Sequence, residues 1–207
     1  MSLQTKHRFS LILFGIYILF FIVLAISPFD RAVWWAENIP IMIIVLSIII
    51  VSRYFVFSKT SYTMMFFLII LHTIGGHYTF ERVPFDWITD LFGFTRNHYD
   101  RIAHFTVGFY AYPVAEILLK KELVKSKIVL FLFPVFTIFS VAAVYEIIEW
   151  LYAISAEETA GAAMLGSQGD IWDAQKDMLA DGLGSIAAMI LFWLINNRTI
   201  KMKRPSE

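Results

Sequence analysis

The sequence predicts an all-α fold: a polytopic membrane helix bundle of about six transmembrane helices, with both termini in the cytoplasm. Three observations carry this expectation. The 207 residues are 58% hydrophobic with a mean hydropathy of +0.67, where a soluble domain is about 45–50% apolar. Apolar runs that approach the length of a membrane crossing alternate with short charged stretches. Lys and Arg fall unevenly among those stretches, 12 on one side and 5 on the other, and the richer side belongs in the cytoplasm. Residues 1-207 read as a single integral membrane domain without internal repeats.

Lys6 and Arg8 precede the first span, Phe9 to Ile26. Ala25-Ile26-Ser27 has the small residues of a signal-peptide cleavage site, yet the apolar run is longer than the usual ~7–15 residues and Pro28 follows at once. An uncleaved span is therefore expected. Pro40 suits the first turn of a second helix, Ile41 to Phe57. The third segment, Ser61 to Ile74, is the shortest, and Gly75-Gly76 is expected to stop it. A polar loop from Gly75 to Tyr99 follows, then Asp100 as an expected N-cap. The fourth span runs from Ile102 to Leu119, with Pro113 as the source of a kink. The fifth runs from Ile128 to about Tyr152, and the sixth from about Asp173 to Ile195.

Charge fixes the orientation of these elements. The N-terminus, second loop, fourth loop and C-terminus (where Arg198, Lys201, Lys203 and Arg204 lie) hold 2, 2, 4 and 4 basic residues; the other three loops hold 1, 3 and 1. On this topology the start of the fourth span, the end of the fifth and the start of the sixth all reach the outer face. Asp100, His104, Glu146, Glu149, Asp173, Asp177 and Asp181 then share one side of the membrane.

The stretch Gly169 to Gly184 is the most informative. Asp173, Asp177 and Asp181 are each four residues apart, so a helix places them on one stripe. Like charges at that spacing repel, which points to a cation, basic partners or shared protons holding them. Dipole complementarity accounts for Asp173 at the helix start; Asp181 lies about 12 Å of rise further in and needs another reason. Asp100 and His104 are one turn apart on the fourth span, and Glu146 and Glu149 form an i, i+3 pair on the fifth. Ionisable residues inside spans are rare and usually functional. The expected metal ligands are His104, Glu146, Asp177 and Asp181, with Asp100 orienting His104. With no cysteine in the chain, the donors are oxygens and one nitrogen, which suits Zn, Mn, Fe or Mg. Gly182, Gly184 and Ser185 follow Asp181 and allow a second helix to approach closely. His77, Arg82, Arg101 and Asp170 are second-rank candidates, and Arg82, Arg96 and Arg101 suit either an anionic head group or neutralisation of the aspartates.

Several chemistries are excluded. The chain has no P-loop, His-Glu-x-x-His, nucleophile-elbow serine or Gly-rich dinucleotide fingerprint. The absence of cysteine rules out disulfides and thiolate chemistry. The basic residues are too few, and face the wrong way, for a nucleic-acid partner. Equal numbers of acidic and basic residues, 17 each, leave net charge silent about other partners, and nothing in the sequence speaks to oligomeric state.

Gly76-His77-Tyr78-Thr79-Phe80, Asn97 through Phe105, Tyr145 through Trp150 and Gln168 through Gly184 together resemble the YjdF-like bacterial inner-membrane family. The resemblance covers nearly the whole chain and implies a multi-pass protein of the bacterial cell inner membrane. A looser resemblance is to the VanZ-like membrane proteins, one of which is associated with glycopeptide-antibiotic resistance. It rests on Asp100-Arg101 with His104-Phe105, on Glu146, and on Asp177 with Gly184; Asp181 stands where that pattern has Asn, and Glu149, Asp170 and Asp173 are additional acids.

Three readings of function follow. The first is metal-dependent action on a lipid or envelope precursor at the outer face. The second is a proton- or cation-coupled transporter using the same residues. The third is a non-catalytic structural or regulatory membrane protein whose polar groups join helices. The acids gather on one side, the inner half holding mainly Glu116, and no repeat provides a path through, which favours a one-sided cup.

Overall fold

The computed structural model describes residues 3–155, 165 and 167–202; Lys203 and Arg204, which enter the charge balance, lie outside them. The described residues form helices and no strands: α1 (Leu3–Leu24), α2 (Arg31–Ser52), α3 (Lys59–Tyr78), α4 (Asp86–Phe92), α5 (Tyr99–Val107), α6 (Ala111–Lys120), α7 (Lys127–Ser155) and α8 (Asp173–Met202). Five helical segments are long and apolar enough to cross a membrane: His7–Leu24, Arg31–Ser52, Tyr99–Lys120, Lys127–Ser155 and Asp173–Ile200. The sixth expected crossing, α3, has 20 residues, about 30 Å of helix. It falls short in composition rather than length, because His72, Thr73, Gly75, Gly76 and His77 fill its last turns.

Several boundaries differ from the sequence expectation. α2 starts at Arg31, not Ile41. Asp30 caps it by accepting the N–H groups of Ala32 and Val33 at 2.7 and 3.0 Å, and Pro40 lies inside the helix. An N-cap with two bonds outweighs the tendency of proline to start a helix. α3 continues through Gly75-Gly76 to Tyr78, and both glycines serve packing. A Cβ on Gly75 would lie 2.3 Å from the Phe80 ring, and one on Gly76 would lie 2.7 Å from Asn38. Asp100 is not the cap of α5: His98 holds that position without a side-chain bond, and Asp100 is in the first turn. Asn97 does the local work, its Oδ1 accepting the Tyr99 N–H at 2.9 Å. The expected kink is present as a 3-10 segment, Gly108–Tyr110, between α5 and α6. It lies just before Pro113, whose ring cannot accommodate the carbonyl four residues earlier in a regular helix.

Helix ends gather in two groups. At one end, His77 Nδ1 meets the Leu24 carbonyl at 2.8 Å, the Phe29 N–H donates to the His77 carbonyl at 2.9 Å, and the Tyr99 hydroxyl donates to the Leu71 carbonyl at 2.8 Å. The C-terminal ends of α1 and α3 and the N-terminal ends of α2 and α5 therefore share this end, joined by the start of α8 through Arg101–Asp173 and by the later half of α7 through Tyr145–Glu37. At the opposite end, buried Glu116 of α6 accepts the Ser58 N–H at 2.9 and 3.1 Å and the Ser58 hydroxyl at 2.9 Å, and also meets Ser61 and Lys120. A carboxylate at the start of α3 complements the helix dipole.

The main core joins α6, α7 and α8 through Tyr112, Ala115, Ile138, Met189 and Phe192. The closest approach in this half is glycine-mediated. A Cβ on Gly184 would lie 1.9 Å from the Phe105 carbonyl oxygen, and one on Gly108 would lie 2.2 Å from the Ser185 nitrogen. α5 and α8 thus touch backbone to backbone, and Asp181 is one turn from that crossing. Gly182 faces the other way and admits the Phe139 ring of α7.

Candidate functional site

Crossing at Gly108 and Gly184 lays the acidic stripe of α8 along α5. His104 sits between carboxylates. Its Nδ1 is 3.3 Å from both oxygens of Asp181, and its Nε2 is 3.6 Å from Asp100 and 3.8 Å from Asp177. Asp181 is fully buried. Asp100, His104 and Asp177 each offer one ligand atom, all within 4.8 Å of one another. The sequence expectation had Asp181 as a ligand and Asp100 as the group that orients His104. The ring's orientation exchanges those positions: Asp100 and Asp177 lie on the Nε2 side, and Asp181 holds Nδ1.

Two arginines from the segment before and within α5 enter the cluster. Arg101 bridges Asp173 and Asp177 by direct ion pairs, with Asp170 at 3.8 Å. Arg96 Nη1 lies 2.9 Å from Asp173 and 3.4 Å from Asp170 and donates to the Ser167 carbonyl at 3.0 Å. Arg96 keeps its Nε and Nη2 buried without a hydrogen-bond partner among the described residues. Asp170 is outside the helix. Its carboxylate takes Lys176 Nζ at 2.6 Å and the Trp172 N–H at 3.1 Å, and these contacts, Lys176 first, hold its pKa below the usual carboxylate range. Nearby His98 is pushed below the usual imidazole value by burial first, then by the charges of Arg96 and Arg101.

The remaining sequence candidates divide. Glu146 borders the cluster: its Oε1 is buried without a hydrogen-bond partner among the described residues, and the charges of His104, Asp177, Asp100 and Asp181 act on it. Glu149, one turn on, feels the charges of Glu37 and Glu146 first and those of His104 and Asp100 after them. His77 and Arg82 stand apart. His77 ties α3 to the end of α1, and exposed Arg82 covers the Phe29 ring at 4.2 Å and pairs with Glu81 at 3.5 Å.

A second buried polar group, centred on Glu37 of α2, was not among the sequence candidates. The Tyr145 hydroxyl donates to Glu37 Oε2 at 3.0 Å, and His72 Nε2 lies 3.0 Å from the same oxygen, off the line of a hydrogen bond. Glu37 is 1% exposed. The Tyr145 ring stands between the two groups, 6.1 Å from the His72 ring and 6.4 Å from the His104 ring. His72, Tyr145, His104 and Asp181 line a common cavity of about 80 Å³. Sequence position alone disguised Glu37, which follows Trp34 and Trp35 and reads as an interfacial acid. Its helical register does carry a signal: Glu37 shares a buried stripe with Val33, Trp34 and Ile41.

A family model described as "Predicted membrane protein (DUF2238)" matches residues 9–198. The Inner membrane protein YjdF of Escherichia coli (strain K12) is 31% identical over 178 residues, covering 85% of each chain. No solved structure matches this sequence.

Proposed function

The chain belongs to the DUF2238 family of predicted membrane proteins, and from that premise we propose a bacterial inner-membrane protein that binds a divalent cation at its acidic end and acts there on an anionic lipid or envelope-precursor head group. The observation that carries this reading is the trio Asp100, His104 and Asp177, whose donor atoms lie within 4.8 Å of one another. Ligands about 2.0–2.2 Å from an ion require the widest pair of that set to close by roughly 1 Å. Glu146, with its buried unpartnered Oε1, is the fourth donor at hand. Asp181 on Nδ1 fixes the imidazole tautomer, as outer carboxylates do for metal-bound histidines. The oxygen-rich set suits Mg, Mn, Fe or Zn. The free Nε and Nη2 of Arg96 supply donors for the phosphate or carboxylate of the substrate. A cation in this place polarises a bound oxygen or lowers the pKa of a bound water.

The test is elemental analysis of the purified protein, with thermal melting before and after a chelator. The expected result is bound divalent metal in the wild type. His104→Gln and Asp177→Asn lose the metal, and Asp181→Asn binds about 10–100-fold more weakly, the usual cost of removing an orienting group. A wild type without metal, whose melting ignores the chelator, overturns the reading. In that event the alternative is a proton relay, as in an ion-coupled carrier, and one observation favours it: Tyr145 and the shared cavity place the Glu37–His72 pair next to His104 and Asp181.

A further inference from the structure

A groove of about 380 Å³ opens between α1, α2 and α3 at the end of the bundle away from the acidic cluster. α1 packs on α3 through Tyr17 and Ile69, which leaves its face toward the end of α2 open. Leu13, Phe14, Ile48 and Phe66 form the apolar walls, and His7, Ser10 and Arg53 stand at the mouth. None of the lining residues is acidic. Lys59 joins the same rim, its Nζ 5.3 Å over the Phe9 ring. Arg82, Arg96, Arg101, Lys120 and Lys176 all pair with carboxylates; among the described residues Arg53 and Lys59 pair with none.

The dimensions identify the occupant. From His7 to Tyr17 the groove follows ten residues of α1, about 15 Å of rise and so half of a hydrocarbon core about 30 Å thick. It begins among basic side chains at the helix ends and stops near mid-bundle, which is the reach of one leaflet. A slot that is apolar in depth and positive at its mouth complements a molecule with a negative head and a hydrocarbon tail. We propose that this groove binds an anionic phospholipid of the adjacent leaflet, one acyl chain lying between α1 and α2 and the phosphate meeting Arg53 and Lys59.

The experiment is native mass spectrometry of the full-length protein in mild detergent, incubated with dioleoyl phosphatidylglycerol or dioleoyl phosphatidylcholine. Wild type is expected to retain phosphatidylglycerol at least about fivefold better, since each basic residue near a lipid surface contributes a factor of about five. Arg53→Gln, a change at an exposed position, cuts retention of phosphatidylglycerol about fivefold and leaves phosphatidylcholine unchanged. Ile48→Trp, which fills the slot, lowers retention of both lipids. Equal retention of the two lipids by wild type, or an Arg53→Gln protein that prefers phosphatidylglycerol as strongly as wild type does, overturns the proposal. So does a lipid-free dimer, which would mean that a second copy covers the groove. Should Ile48→Trp fail to fold, Arg53→Gln decides alone.

Discussion

Gly184→Ala tests how the candidate site is built. The new Cβ would lie 1.9 Å from the Phe105 carbonyl oxygen, where ordinary contact begins at 3.4 Å, so α5 and α8 must part by about 1.5 Å. Both contact groups belong to helix backbone and neither can swing aside. Adding that separation to the 3.3 Å between His104 and Asp181 gives about 4.8 Å, well past hydrogen-bond range. Overpacking costs about 1–3 kcal/mol, and a buried polar group left without its partner costs about 1–3 kcal/mol more. The better helix propensity of alanine returns about 1 kcal/mol. The net loss is about 1–5 kcal/mol, a fall in Tm of roughly 2–20 °C at about 2–4 °C per kcal/mol for a chain of this size. Gly15→Ala is the control, because its Cβ meets nothing within 4 Å; it should melt at or above wild type. The assay is circular-dichroism melting in detergent, with metal affinity measured in parallel. If Gly184→Ala melts like Gly15→Ala and binds metal like wild type, the backbone crossing does not position His104 and the reasoning fails.

Three further outcomes are expected. Arg101→Gln leaves Asp177 without its arginine in a largely buried place, while Arg96 still holds Asp173, and should destabilise by about 3–5 kcal/mol; adding Asp177→Asn should restore part of that loss in denaturation, and no recovery would show that Arg101 acts elsewhere. Reporter fusions after Lys125 and after Leu165 should report cytoplasm and outside respectively, since the basic residues divide 12 to 5; both on one side would break the orientation. The pKa of Asp170 is depressed by Lys176 and the Trp172 N–H, so its clasp on Arg96 is intact above the ordinary carboxylate value of about 3.9 and is lost only as pH falls through the lower folded value. Limited proteolysis of the α7–α8 connection should therefore rise only in strong acid, and earlier in Lys176→Gln; wild-type cleavage that rises near neutral pH would contradict this.

What was legible in the sequence had short-range periodicity. The Asp173–Asp177–Asp181 stripe and the Asp100–His104 pair are i, i+4 patterns on single helices, and Gly184 follows in the same register, so their meeting could be anticipated. Arg96 and Arg101 carry little signal in the sequence because their partners lie more than 70 residues away, and no local period reports such a pairing. The Glu37–His72–Tyr145 group draws on three helices and shows no spacing at all. Helix boundaries depart from the sequence expectation for a related reason. Proline at Pro40 and glycine at Gly75 are strong local punctuation, but the Asp30 cap and the packing of Phe80 on Gly75 overrule them. α3 is not among the helices apolar enough to cross a membrane, because the polar and small residues of its last turns lower its hydropathy.

The ion pairs across the α5–α8 contact impose an order on biosynthesis. α8 brings its aspartates into the bilayer last, and an aspartate costs up to about 2.5–3.5 kcal/mol at the centre of an isolated span, less for Asp173 at the helix end and most for Asp181. By then Arg101 and His104 are already in place on a helix made some 70 residues earlier, so the nascent acidic helix has a cationic surface to dock on as it leaves the translocon. Reversing the order of the two helices in the gene would present the aspartates to lipid with no partner yet made. The direction in which the ribosome reads this chain thus matters to whether its last helix inserts.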